Sequence, residues 1–125
     1  MNSSAYCIGI DIGGTYTKLG IVDSGGGIIE HFQIPTSAYK RHTDFILEVQ
    51  RILTPFIDKF GKSNCLGIGV GAPNAHYYTG NIEYPVNLNW KGIIPFGNDL
   101  EQVMQLPVKI TNDANAAAMG EHKLG

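Results

Sequence analysis

The chain has 125 residues, 43% of them hydrophobic, enough for one domain that buries roughly two-thirds of the surface its unfolded form exposes. Its nine Lys and Arg are scattered among eleven Asp and Glu, for a formal charge of -2. No basic face is available to neutralise a run of phosphates, and no apolar run approaches the roughly 20 residues a bilayer demands, so nucleic-acid and membrane partners are not expected.

In chain order, Met1-Asn2-Ser3-Ser4 shows no basic region followed by an apolar stretch, so no secretory signal is read and a cytoplasmic location is expected. Tyr6-Cys7-Ile8-Gly9-Ile10 is short, apolar and rich in β-branched residues, which predicts a buried strand. Thr15 to Val22 repeats the character. Ile28 to Ile34 does so again after Ser24-Gly25-Gly26-Gly27 and before Pro35, giving a three-strand antiparallel meander. Between His42 and Phe60 the apolar residues fall at Phe45, Ile46, Val49, Ile52, Leu53, Phe56, Ile57 and Phe60, the spacing of one helical face. That phase continues through Pro55, which predicts a kink or a capped restart at Thr54.

Cys65 to Gly71 reads as a fully buried strand whose three glycines invite close approach by backbone or ligand. From Ala75 to Phe96 there is no sustained period; loops are expected, with one or two short strands including Ile82 to Tyr84. A short helix starting at Pro95-Phe96 should turn Leu100, Val103 and Met104 inward and end at Pro107, before a last strand from Val108 to Thr111. A final helix begins at Asn112 or Asp113. This order of strands and helices defines an α/β layer domain. Cys7 and Cys65 have no CxxC spacing and read as small buried apolar residues.

Two segments carry chemistry. The first is Asp11-Ile12-Gly13-Gly14-Thr15, running on to Thr17 and Lys18. Consecutive glycines can adopt positive φ and aim successive N–H groups at one anion. Thr15 and Thr17 add hydroxyls, Lys18 a mobile positive charge, and Asp11 a hard oxygen suited to magnesium or its bound waters. No Walker A pattern is present, and the turn joins two strands. The structural alternative is a type I′ hairpin turn with an acidic neighbour.

The second segment is Thr111-Asn112-Asp113-Ala114-Asn115-Ala116-Ala117-Ala118-Met119-Gly120-Glu121. Small residues after Asp113 let a helix pack close and fix its carboxylate. A helix N-terminus makes that carboxylate a weaker base, an objection that loses force for phosphoryl transfer, where the carboxylate orients the attacking hydroxyl and accepts its proton late. The structural alternative for Asn112 or Asp113 is a simple N-cap.

Together with Gly67-Ile68-Gly69-Val70-Gly71-Ala72-Pro73-Asn74, these segments resemble the N-terminal half of the ROK family, the bacterial glucokinase-like sugar kinases and related repressors. The resemblance implies an actin-like, ribonuclease-H-like ATPase fold, with the antiparallel meander and parallel strands in one mixed sheet flanked by helices. It implies that residues 1–125 are a single N-terminal domain of a two-domain kinase. By position, Gly13, Gly14, Thr15, Thr17 and Lys18 would meet ATP phosphates, Asp11 would help hold Mg2+, directly or through water, and Asp113 would be the catalytic base. Asn112 and Asp113 would face the sugar, with Asn74 and Asn87 as further sugar contacts, since an amide both donates and accepts.

The family commonly has Gly-x-Pro-Gly where this chain has Gly71-Ala72-Pro73-Asn74, and a proline-containing pattern where it reads Asn87-Leu88-Asn89-Trp90. Both departures lie on the sugar side, so the sugar is not fixed as glucose. Trp90 is read first as a packing anchor and second as a sugar-stacking ring. His31, His42, His76 and His122 read as surface or loop residues. The family's C-terminal half would supply a His-Glu sugar motif, a cysteine-rich zinc element and most of the adenine pocket, so zinc is expected only there.

The leading expectation is therefore an ATP-dependent transfer of the γ-phosphoryl to a hexose-type hydroxyl, with sugar and ATP as small-molecule partners. Homo-oligomerisation of a full-length protein stays open. The other readings are the sugar-sensing half of a ROK-type repressor and a non-catalytic fragment that binds sugar or phosphate; the resemblance implies a winged helix before the first strand of such repressors, and a lead of about five residues counts against that reading.

Overall fold

The computed structural model of the chain describes residues 5–112. Three antiparallel strands come first, β1 (Tyr6–Ile12), β2 (Tyr16–Asp23) and β3 (Ile28–Pro35), followed by helix α1 (His42–Phe60). Then come β4 (Cys65–Gly71), the short pair β5 (Ile82–Glu83) and β6 (Ile93–Ile94), helix α2 (Phe96–Met104) and β7 (Val108–Thr111). The main sheet has the order β3-β2-β1-β4-β7, with β4 parallel to both β1 and β7.

Strand alternation decides which face is core. Ile8, Ile10 and Ile12 of β1, opposite Ile21, Leu19 and Thr17 of β2, lie on one face and are buried with Ile68, Val70 and Ile110. Helix α1 covers that face with Phe45, Ile46, Val49, Leu53 and Ile57, each such side chain worth about 1.5–3 kcal/mol of burial. The other face is side-chain-poor: Gly20, Gly9 and Gly69 are registered across three adjacent strands.

Helix α1 runs unbroken through Pro55. Pro55 is exposed, and the Thr54 hydroxyl donates to the Gln50 carbonyl at 2.6 Å, filling an acceptor one turn back. Gly61, at φ 93, ends the helix and returns its N–H to Ile57 at 2.8 Å. The buried Tyr6 phenol donates to the Gly61 carbonyl at 3.0 Å, pinning the start of β1 to this end of α1. Burial pushes its pKa well above that of ordinary tyrosine, with the neighbouring Cys65 thiol adding to the effect. Cys7 and Cys65 are both buried, as expected, and neither is in a disulfide.

Helix α2 ends at Met104 on Gln105, which takes a left-handed conformation at φ 57, two residues before the expected stop at Pro107. His42, the first residue of α1, is no loop residue: its Nε2 lies 2.7 Å from Asp99 Oδ2 in the first turn of α2. The stretch between β4 and α2 has little regular structure and is held by side chains instead. Trp90 is buried against Phe45 and Phe96, with ring centroids 5.0 and 5.9 Å away, and its Nε1 donates to the Tyr39 carbonyl at 3.0 Å. It is a packing anchor.

Candidate functional site

The parallel pairing of β1, β4 and β7 brings their carboxyl ends side by side, where open α/β sheets bind ligands. Asp11 is registered with Gly71, and Gly71 with Thr111. Across the antiparallel side Asp11 also faces Lys18. Residues registered in this way project to the same side of a sheet. Lys18, Asp11 and Thr111 therefore form one row, on the face opposite α1, with a gap at Gly71 where no side chain intervenes. At roughly 4.8 Å per strand, Asp11 and Thr111 stand about 10 Å apart. Asp11 and Lys18 are exposed, as is Asn112, which follows Thr111 directly.

The turn between β1 and β2 is closed by the Gly13 N–H donating to the Tyr16 carbonyl at 3.0 Å. Neither Gly13 nor Gly14 has a positive φ, which rules out the type I′ alternative and also removes the positive-φ geometry on which the anion-binding expectation rests. Crowding demands the glycines instead. A Cβ on Gly13 would lie 2.7 Å from the Tyr16 carbonyl oxygen, and one on Gly14 would lie 2.6 Å from that of Asn87. The turn and the Asn87 segment thus touch through their backbones, a contact 73 positions apart in sequence.

The other expected site residues divide. Thr15 is exposed on the turn. Thr17 is not: its side chain is 0% exposed on the α1 face, with its hydroxyl 2.6 Å from that of Thr36. The structure corrects its assignment to the phosphate set, because a residue paired with Ile12 must face the core while its neighbours Lys18 and Tyr16 face away. Asn87 is exposed beside Gly14. Asn74 immediately follows the Gly71-Ala72-Pro73 end of β4, but its Nδ2 donates to the carbonyls of Glu83 and Tyr84 at 3.1 and 3.0 Å. Asp113 lies outside the described residues.

Among the described residues no three His, Cys, Asp or Glu side chains cluster to cage a metal. Asp11 offers an exposed carboxylate beside the glycine turn. That donor set fits Mg2+, which keeps several waters and takes one or two carboxylates plus substrate phosphates. No helix of the described residues is long and apolar enough to cross a membrane.

A mixed sheet of this order, with a glycine turn after its first strand, is the actin-like ATPase fold seen in ROK sugar kinases. The chain belongs to the ROK family, whose profile matches residues 7–125. It is 34% identical over 122 residues to a glucokinase of Halalkalibacterium halodurans, covering 95% of this chain and 37% of the relative. It is 33% identical over 118 residues to an N-acetyl-D-glucosamine kinase of Yersinia pestis, covering 90% of this chain and 43% of that one. The chain therefore spans well under half the length of these relatives.

Among solved structures, a ROK family glucokinase from Streptomyces griseus in complex with glucose and AMPPNP superposes with a TM-score of 0.75 at 29% identity, over 97% of this chain and 37% of its own. A ROK family transcriptional regulator, a homologue of the E. coli MLC protein, superposes at 0.73 with 17% identity over 98% of this chain and 31% of its own, a likeness of fold alone.

Proposed function

We propose that the chain forms the N-terminal lobe of an ATP-dependent sugar kinase, transferring the γ-phosphoryl of ATP to a hexose-type hydroxyl. The observation that carries this reading is the gathering of the Asp11–Thr15 turn, the Gly71–Asn74 strand end and the Thr111–Asn112 strand end along one edge of the parallel sheet. The kinase relatives support it.

In this proposal the N–H of Gly14 and the hydroxyl of Thr15 hold the phosphates, with Lys18 supplying positive charge across from Asp11, while Gly13, whose N–H is engaged by the Tyr16 carbonyl, shapes the turn. Asp11 holds Mg2+ through a carboxylate oxygen or its bound water; the ion's contribution when bound is to neutralise charge on the transferring phosphoryl group. Asn87 and Asn112 donate to and accept from sugar hydroxyls, whereas the Asn74 amide nitrogen is engaged by the Glu83 and Tyr84 carbonyls. Asp113 orients the attacking hydroxyl and takes its proton late in the transfer, so aim matters more than basicity.

The test is a sugar panel scored by ATP consumption in the protein's full-length form, with Asp113→Asn alongside. Sugar-dependent turnover that falls by about three orders of magnitude or more in the variant, with folding retained, is the expected result. Near wild-type turnover in Asp113→Asn would remove that residue from the role. A repressor-type sensor of the same fold would bind the sugar and consume no ATP.

A further inference from the structure

Asn74 stands where the family pattern commonly has glycine, and the structure shows why the exchange is tolerated: its φ is 58, in the left-handed region. Among side-chain-bearing residues asparagine enters that region most readily. Its amide adds something glycine cannot. The Asn74 carbonyl accepts from the Glu83 N–H at 2.9 Å, and the two hydrogens of its Nδ2 reach the carbonyls of Glu83 and Tyr84. Tyr84 is itself left-handed at φ 51, and its N–H donates to the Gly92 carbonyl at 2.8 Å. A strained residue of this kind persists only when its neighbours fix it from several sides.

From Tyr84 the chain runs as a strap to Trp90. Pro85, Leu88 and Trp90 point inward and are buried, whereas Tyr84, Val86 and Asn87 point out. Its far end is tied by the Asn89 Nδ2 donating to the Ser37 carbonyl at 2.9 Å and by the Trp90 bond to Tyr39. Asn74 is the tie at the near end. Asn87, whose backbone rests on Gly14, lies between the two.

We propose that Asn74 is a positioning residue of this chain, clamping the Tyr84–Trp90 strap so that Asn87 is held against the glycine turn ready for the sugar; the inference rests on the sugar-kinase reading. Both amide hydrogens are spent on the strap, so its effect on the sugar passes through Asn87. Removing the clamp lets the near end of the strap fluctuate, and sugar binding must then order it, which raises KM for the sugar. The transfer step itself, resting on groups the clamp does not touch, keeps its kcat.

Two variants test this. Asn74→Gly keeps the left-handed backbone and loses the amide; Asn74→Asp keeps the size and turns an acceptor toward two carbonyls. In the full-length protein, assayed with ATP and either D-glucose or N-acetyl-D-glucosamine, Asn74→Gly should raise the sugar KM about tenfold, the effect of two lost hydrogen bonds, with kcat nearly unchanged and Asn74→Asp worse. In the 125-residue chain, amide hydrogen exchange at Tyr84 should accelerate in both variants while amides within α1 stay as they are.

Unchanged exchange overturns the clamp. Accelerated exchange with an unchanged sugar KM overturns the positioning role, and a raised KM without accelerated exchange makes Asn74 a direct ligand instead. A full-length wild type that turns over neither sugar nor any other in a panel overturns the kinase reading and the positioning role with it, while the exchange result still decides the clamp.

Discussion

Gly14 and Thr17 show how single positions sort the site. A methyl group on Gly14 would collide with a backbone oxygen that has no soft alternative position, so either the turn or the strap must move. Gly14→Ala should therefore raise the KM for both ATP and sugar, each about tenfold or more, because small displacements of positioning groups are costly. A change in the ATP KM alone would disconnect the two loops. Thr17→Val should do the opposite. It leaves the buried Thr36 hydroxyl without its partner, costing about 1–3 kcal/mol by denaturant melt, while the ATP KM stays put. The sequence suggested Thr17 as a phosphate ligand because three hydroxyl and amine groups fall within four residues. Strand alternation, which sends Thr17 and Lys18 to opposite faces, was the overlooked signal.

Elements with a strong period were legible before any coordinates. The meander and α1 follow from alternation and three-four spacing, and their boundaries fall within a residue or two of expectation. Between β4 and α2 the loops and the short strand starting at Ile82 match expectation, but the path of the segment was not legible, for a physical reason. Its shape is set by Asn74 donating to carbonyls within it and by Asn89 and Trp90 donating to those of Ser37 and Tyr39, and such bonds leave no periodic trace in sequence. The same limit hid the pairing of His42 with Asp99, whose sequence separation is 57. Within α1, the proline sits on the exposed side of an otherwise continuous helix. Pro55→Ala restores a donor for the Arg51 carbonyl, and although the unfolded chain gains freedom, a net stabilisation of about 1–2 kcal/mol is expected. A thermal melt checks it; a lower Tm would mean that the proline's local geometry serves the core.

At the scale of the whole molecule, one titration and one activity follow from the architecture. The Tyr6 phenol joins the sheet to the end of α1 and ionises only well above the ordinary tyrosine value. A folded-state pKa above the unfolded one means the native protein holds the proton longer. The stability this bond lends is whole below about pH 10, the unfolded value, and drains away as pH climbs above it. Denaturation midpoints followed from pH 8 upward should fall in the wild type and fall less steeply in Tyr6→Phe, which starts less stable. As for activity, the kinase relatives work through chains of which this one spans 37–43%. The 125-residue chain by itself is expected to give no sugar-dependent ATP consumption in a coupled assay. Measurable turnover would place a complete site within it.

The meeting of Gly14 with Asn87 is made by a carbonyl oxygen and a Cβ, atoms that nearly every amino acid owns. What lies beyond the Cβ at position 87 can be exchanged without shifting the glycine turn by any amount, whereas the path of the main chain there cannot. Under the proposed sugar-kinase reading, sugar preference is thus free to drift by side-chain replacement along a fixed track, and a designer wishing to retarget it should redecorate the strap and leave its course alone.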